Sequence, residues 1–264
     1  MDALAGEVAA LMKQVAAQVI LPRYRNLSAE DVEEKGVDDL VTIADKESEL
    51  RLNEGLARLL PEAGLVGEEA CAADPALVDR LASGLNWLVD PIDGTGNFAA
   101  GRPPFGIMVA LVDGGETQAG WLYDPLTGRL CHAARGRGAT IDGERVTART
   151  SGAARPVAGL SLLFIAPEDR QGLIDRAAGR LDMVDIPRCA AEQYPRIVLG
   201  ANDLALFERT LPWDHAPGAL FVEEAGGRVA RPDGTPYRPD QKARGLIAAA
   251  SPAMWETAAR VLFG

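Results

Sequence analysis

Two carboxylates three residues apart close an apolar run: Trp87-Leu88-Val89-Asp90-Pro91-Ile92-Asp93-Gly94-Thr95-Gly96-Asn97-Phe98. The run reads as a buried strand, and Pro91, which has no N–H to give a ladder, predicts that it stops at Asp90. In alternating α/β chains, ligands gather at the carboxyl ends of strands. Asp90 and Asp93 straddle a turn and can reach one point. Gly94, Thr95 and Gly96 leave backbone N–H groups open where a helix could begin, a setting that holds phosphate oxygens. Carboxylate, carbonyl and phosphate oxygens suit a hard divalent cation such as Mg²⁺. Taken alone, the same residues would also make a polar turn whose acids cap a helix.

Other stretches carry candidate chemistry. Leu65-Val66-Gly67-Glu68-Glu69 is a short strand ending in adjacent acids, which near Asp90 and Asp93 would repel strongly without a cation. Thr42-Ile43-Ala44-Asp45 has the spacing of a capping box ahead of a helix bearing Leu50, Leu52, Leu56, Leu59 and Leu60, and Lys35 and Asp45 flank its start. Asp214 opens a helix that Gly226-Gly227 ends, a place where an isolated Asp would serve as an N-cap. His132 and His215 have no Ser-Asp or Cys partner at a recognisable spacing, so no nucleophilic triad is expected.

Around these residues, Leu4, Val8, Leu11, Met12, Val15, Val19 and Ile20 recur at helical spacing up to Pro22, which is expected to end the helix. A short helix over 75–82 leads back to the strand of Trp87. Strands over 105–112, 117–123 and 129–134 read as an antiparallel meander. The stretch 151–156 is the best boundary. Residues 1–150 are expected to form an α+β domain with an antiparallel sheet and most of the candidate ligands. Residues 151–264 are expected to form an α/β domain supplying Asp214, from alternating strands over 160–164, 183–186, 204–207 and 246–250 and helices over 170–179 and 190–199.

With 264 residues and 47% hydrophobic content the chain can bury a full core, and a formal charge of −11 disfavours nucleic-acid binding by its general surface. No apolar run of about 18 residues is evident and the first twenty residues include acids, so neither a secretory signal nor a membrane span is expected. Cys71, Cys131 and Cys189 share no ligand spacing and fit a reducing cytoplasm.

Four separated pieces together resemble the inositol monophosphatase family: Lys35…Asp39-Leu40-Val41-Thr42-x-Ala44-Asp45, Gly67-Glu68-Glu69, the run from Trp87 to Phe98, and Trp213-Asp214-x-Ala216-x-Gly218…Glu224-Ala225-Gly226-Gly227. The resemblance spans nearly the whole chain. It implies a fold between α+β and α/β, a five-layered αβαβα sandwich of the inositol monophosphatase and fructose-1,6-bisphosphatase type, and a Mg²⁺-dependent, lithium-sensitive, usually homodimeric phosphatase. It also implies that Glu68, Asp90, the Ile92 carbonyl, Asp93 and Asp214 hold about two or three Mg²⁺ ions. Asp93, Gly94 and Thr95 would bind phosphate. Glu68, Thr95, Asp45 and Lys35 would be the catalytic group, with Glu68 and the Thr95–Asp45 pair activating the water that attacks phosphorus in line.

The chain departs from the family where substrate would sit. Gly96 stands where many members carry a second threonine. The turn Arg188-Cys189-Ala190-Ala191-Glu192-Gln193-Tyr194 replaces a small Gly-x-Ala-type turn, and the position seven before Asp214 is Phe207, beside Glu208, where inositol-phosphate hydrolases usually present an acid. Arg188, Ala190, Glu192, Tyr194 and Glu208 are therefore candidate substrate contacts, with Arg188 suited to a second anionic group. The expectation is a cytoplasmic Mg²⁺-dependent phosphatase acting on a small phosphomonoester (an inositol phosphate or a related sugar or alcohol phosphate), with neither nucleic acid nor membrane as partner. Histidinol phosphate and adenosine 3′,5′-bisphosphate are the alternative substrates. A non-enzymatic regulatory protein on the same fold is the competing class.

Overall fold

Apolar residues at helical spacing build the outer layer. In the computed structural model, which describes residues 2–36 and 39–264 but not the side chains of residues 2, 29, 35, 36 and 39, helix α1 (Asp2–Val15) runs on through a π-turn (Ala16–Ile20) into a last turn, α2 (Leu21–Arg23). Pro22 therefore does not end the helix as expected. It stands at the start of α2, where its missing N–H and fixed φ cost least. By length and composition Ala3–Arg23 is apolar enough to cross a membrane, a span the sequence reading passed over. Its Val8, Met12, Val15, Val19 and Ile20 are buried with Leu52 and Leu56 of α3 (Ile43–Leu59), as in a core helix.

Between these helices a hairpin of β1 (Val32–Gly36) and β2 (Asp39–Thr42) hangs beside the main body. The chain then enters β3 (Gly64–Gly67), α4 (Glu68–Ala73), the expected short helix over 75–82, which is 3₁₀ (Pro75–Ala82), and β4 (Leu85–Asp93). A five-residue helix α5 (Thr95–Ala99) precedes the meander of β5 (Gly106–Asp113), β6 (Glu116–Tyr123), β7 (Leu130–Ala134), β8 (Gly138–Ile141) and β9 (Glu144–Val146). Strands β3 to β9 form one sheet in sequence order, antiparallel throughout except for the parallel β3–β4 pair.

The second half supplies β10 (Val157–Leu160), α6 (Pro167–Ala177), β11 (Asp182–Val184), α7 (Ala190–Val198), β12 (Leu204–Phe207), α8 (Pro212–Glu224), β13 (Arg228–Ala230), β14 (Leu246–Ala249) and α9 (Pro252–Phe263). Its five strands, ordered β11-β10-β12-β14-β13, are parallel over the first three and antiparallel thereafter, so the sheet is mixed rather than purely βαβ. The expected boundary at 151–156 falls between β9 and β10.

Three apolar clusters separate the layers. One joins α1 and α3 to the outer face of the first sheet, a second packs α7 and α8 between the two sheets, and a third joins the far face of the second sheet to α6 and α9. The result is an αβαβα sandwich. Its middle helices, α7 and α8, touch both sheets and can carry residues into the space between them.

Candidate active site

Strand β4 does not stop at Asp90. Asp90 pairs with Met108 and Asp93 with Gly106, three residues against two, so the strand carries a bulge containing Pro91. A bulged residue owes no N–H to the ladder, which is how proline is tolerated there. In a regular strand an offset of three would point the two carboxylates to opposite faces; the extra residue returns Asp93 to the face of Asp90.

That face is the one Leu88 presents to Trp213 and Ala216 of α8, so Asp90 looks toward Asp214. Strand β3 runs parallel to β4 with Gly67 opposite Val89, which sets Glu68, the first residue of α4, beside Asp90 at the shared carboxyl end. Carboxylate oxygens of Glu68, Asp90 and Asp214 all lie within 4.8 Å of one another. Burial first, then the charges of Glu68, Asp93, Asp214 and Asp45, push the Asp90 carboxyl well above its ordinary range. Its Oδ1 accepts the Ile92 N–H at 3.0 Å. Asp93 stands outside this trio. Its Oδ2 accepts the Ala191 N–H at 2.6 Å at the start of α7, and such bonds partly offset the burial that raises its pKa.

Beneath the trio, the expected capping box is present. The Asp45 carboxylate accepts the Thr42 N–H at 2.8 Å, while Thr42 Oγ1 accepts the Ala44 N–H at 3.2 Å. Burial raises Asp45 to about 7, against the lowering effect of the Thr42 hydrogen bonds. Thr95 Oγ1 lies 2.9 Å from the Ile92 carbonyl and 3.2 Å from Asp45 Oδ1, so one hydroxyl proton serves two acceptors in turn. Gly94, before it, has φ +83°, and a Cβ there would come within 3.1 Å of the Pro104 carbonyl.

One turn along α3 from Asp45, a residue the sequence reading missed holds Glu68 in place. The buried Glu49 carboxylate accepts the N–H groups of Glu69 at 2.7 Å and Ala70 at 2.9 Å, capping α4. A Cβ on Gly67 would lie 2.3 Å from its carboxyl carbon, so glycine admits the cap. The i,i+4 spacing from Asp45 was the available signal.

These groups open into a cavity of about 480 Å³ between the sheets, lined by Glu68, Asp90, Ile92, Asp93, Gly94, Thr95 and Asp214 together with Arg188 and Ala190. Three residues expected to touch substrate lie elsewhere. Glu192 is paired with Arg129 and Arg196; Glu208 is paired with Arg244 at 2.8 Å; neither lines the cavity. Tyr194 is fully buried, stacked on Phe207, with its hydroxyl 2.8 Å from His215 Nδ1. His215 Nε2 lies 3.0 Å from the Arg209 carbonyl, and burial lowers its pKa to about 3. These partners fit a neutral imidazole that donates from Nε2 and accepts from the tyrosine. Lys35 belongs to β1, but its side chain lies outside the described residues. Phe207 lines the cavity, as do Arg209 and Phe164, which came to the site from loops and had no motif to mark them.

The chain as a whole has counterparts among known proteins. The profile of the inositol monophosphatase family matches residues 5–262. The chain is 31% identical to inositol monophosphatase 2 of Solanum lycopersicum, over 88% of each chain. It is 30% identical to a fructose-1,6-bisphosphatase/inositol-1-monophosphatase of Aquifex aeolicus, over 84% of this chain and 83% of that one. It is also 32% identical to the Nus factor SuhB of Escherichia coli, over 81% and 80%. Among solved structures, the Thermotoga maritima IMPase superposes with a TM-score of 0.81 at 25% identity, covering 99% of this chain and 98% of that one. A match that runs from helix α1 to helix α9 and takes in every acid of the cavity places the chain in the inositol monophosphatase family.

Proposed function

We propose that the chain is a Mg²⁺-dependent phosphatase of small phosphomonoesters. The observation that carries this is the cage of Glu68, Asp90 and Asp214, with oxygens within 4.8 Å of one another, set beside the Thr95–Asp45 pair. Acids crowded and buried this closely are poorly compensated by the protein itself, as the raised Asp90 shows, and their all-oxygen chemistry fits a hard divalent cation. When bound, such cations make water a stronger nucleophile and neutralise the charge that builds on phosphoryl oxygens.

The chain's own groups divide the remaining work. Glu68, Asp90 and Asp214 would hold the cations, with Asp93 and the Ile92 carbonyl as further donors. Helix α5 begins at the cavity, and the first N–H groups of a helix lack partners within it, so Thr95 and Gly96 can receive phosphate oxygens. Thr95 and Glu68 orient the attacking water, and Asp45, close to neutral pH in its pKa, takes the proton passed through Thr95. Family membership supports, within the same proposal, about two or three Mg²⁺ ions, inhibition by lithium, a homodimer and action in the cytoplasm.

Inositol phosphates, sugar phosphates, histidinol phosphate and adenosine 3′,5′-bisphosphate are the candidate esters. Similarity to proteins named Nus factors supports a second reading, a regulatory role without turnover. The retained acids and Thr95 favour catalysis. Phosphate release from a panel of these esters, with Mg²⁺ and with a chelator, decides between them. Mg²⁺-dependent release supports the phosphatase, and none from any ester supports the second reading.

A further inference from the structure

Of the chain's two histidines, His215 is the buried one, and the cage of acids makes no use of it. It follows Asp214 on α8, and three neighbouring segments converge on its ring. The hydroxyl of Tyr194, from α7, lies 2.8 Å from Nδ1, and the carbonyl of Arg209, from the loop between β12 and α8, lies 3.0 Å from Nε2. Phe207, at the end of β12, meets the imidazole edge-on at 4.8 Å and 66° and stacks on Tyr194 at 5.2 Å and 24°. Gly218, one turn along α8, makes the room, since a Cβ there would run into the Tyr194 ring. A carbonyl can only accept, so Nε2 carries the proton and Nδ1 accepts from the tyrosine.

The residues on either side of Arg209 are tied elsewhere. Arg244 pairs with Glu208 at 2.8 Å, and Arg231 Nη1 donates to Thr210 Oγ1 at 3.1 Å. The Arg209 carbonyl between them is left to His215. Arg209 itself lines the cavity, with its guanidinium 4.4 Å above the Phe164 ring, and its charge acts on Asp93. Turning that one peptide would carry the guanidinium off the ring while Glu208, Thr210 and Asp214 stay where they are.

We propose that His215 is a positioning residue of the cavity: its Nε2–H holds the Arg209 peptide, and with it the guanidinium over Phe164, at a fixed place relative to Asp214 on the same helix. The bond leaves the caged acids and the Thr95–Asp45 pair untouched, so its loss falls on ester binding and spares both the cation site and the attacking water. The inference rests on the phosphatase reading, and the placement of Arg209 is also measured without turnover so that the two can fail separately.

Glutamine and asparagine each keep half of the imidazole. Glutamine carries an N–H donor at about the reach of Nε2, and asparagine a carbonyl acceptor at about the reach of Nδ1. With Mg²⁺ and a phosphomonoester the protein accepts, His215→Asn is expected to raise KM about tenfold with kcat within about threefold of wild type. His215→Gln and Tyr194→Phe spare the Arg209 bond and should leave KM within about threefold of wild type. Calorimetric Mg²⁺ affinity should be the same in all of them. Phenylglyoxal labelling mapped by mass spectrometry follows Arg209 itself, which should react about fivefold faster in His215→Asn than in wild type, and at the wild-type rate in the other two variants. In wild type, ¹⁵N spectra should place the His215 proton on Nε2, its signal identified as the one missing from His215→Asn. A proton on Nδ1, or Arg209 labelling in His215→Asn at the wild-type rate, overturns the inference. A KM that rises equally in all three variants also overturns it, by making His215 a packing residue. Absence of turnover with the labelling difference intact overturns only the phosphatase reading.

Discussion

Asp90→Asn removes one charge at the most crowded point of the cavity and changes almost no volume. Two ionised carboxylates with oxygens within 4.8 Å of each other repel by at least about 3 kcal/mol at an effective permittivity of about 20, and Asp90 faces two such neighbours. Burial and those neighbouring charges push the Asp90 carboxyl well above its ordinary range, so the protein without metal bears the repulsion as a cost of ionising Asp90. The asparagine carbonyl can still accept the Ile92 N–H that Asp90 accepts at 3.0 Å. Metal-free Asp90→Asn at pH 8 is therefore expected to be about 1–3 kcal/mol more stable than metal-free wild type, with Tm higher by about 2–4 °C for each kcal/mol. Millimolar Mg²⁺ should reverse the order, since the variant has lost one of the three clustered carboxylates that would hold the cations. Turnover should fall below about 1% of wild type. The assay is thermal unfolding with and without a chelator, run beside phosphate release. Near-normal release by the variant, or a metal-free variant that melts below wild type, would refute the reasoning.

Thr95→Ala should lower kcat by roughly 10² while leaving Mg²⁺ affinity nearly unchanged, because its hydroxyl orients and relays rather than ligates; a calorimetric titration showing affinity collapsing with the rate would make it structural. Glu49→Ala strips the cap from α4 and should cost about 1–3 kcal/mol of stability and weaken Mg²⁺ binding through misplaced Glu68, with Glu49→Gln intermediate in both. Unaltered Mg²⁺ affinity in Glu49→Ala would show that the cap does not position Glu68. Burial raises Asp45 and Glu49 to about 7 from ordinary values near 4, so the folded metal-free protein binds protons more readily than the unfolded chain. The stability these two groups contribute is then fully present below about pH 4 and is lost as pH rises through about 7, so Mg²⁺ should raise Tm more at pH 8 than at pH 5. A metal-free Tm that does not fall over that interval would contradict the burial argument.

Glu68 and Asp90 were legible because each marks the abrupt end of an apolar run, and Asp214 only through the family resemblance. Glu68 follows Leu65-Val66-Gly67, Asp90 follows Trp87-Leu88-Val89, and Asp214 opens a helix behind Pro212. The Asp45 capping box was legible because its spacing is local. The bulge at Pro91 was not, since a missing ladder N–H is compatible both with a strand that stops and with one that skips a residue, and only the β5 register distinguishes them. That Glu192, Tyr194 and Glu208 lie off the cavity was hidden for a related reason. Glu192, Tyr194 and Glu208 sit near the cavity in sequence, but Arg129 and Arg244, brought in from distant segments, turn the two acids away, and Tyr194 is consumed in joining α7 to α8. Arg209 and Phe164 meet only because two strand ends of the second sheet lie side by side.

Hydrolysis in ¹⁸O-labelled water tests the central claim most directly. A chelated preparation of the protein is given a phosphomonoester it accepts, and phosphate is followed by mass spectrometry as Mg²⁺ is added. The caged acids and the Thr95–Asp45 pair predict no release before Mg²⁺, and afterwards one solvent oxygen in every phosphate formed, none in the alcohol. Release that persists without divalent metal, or label appearing in the alcohol, would contradict it.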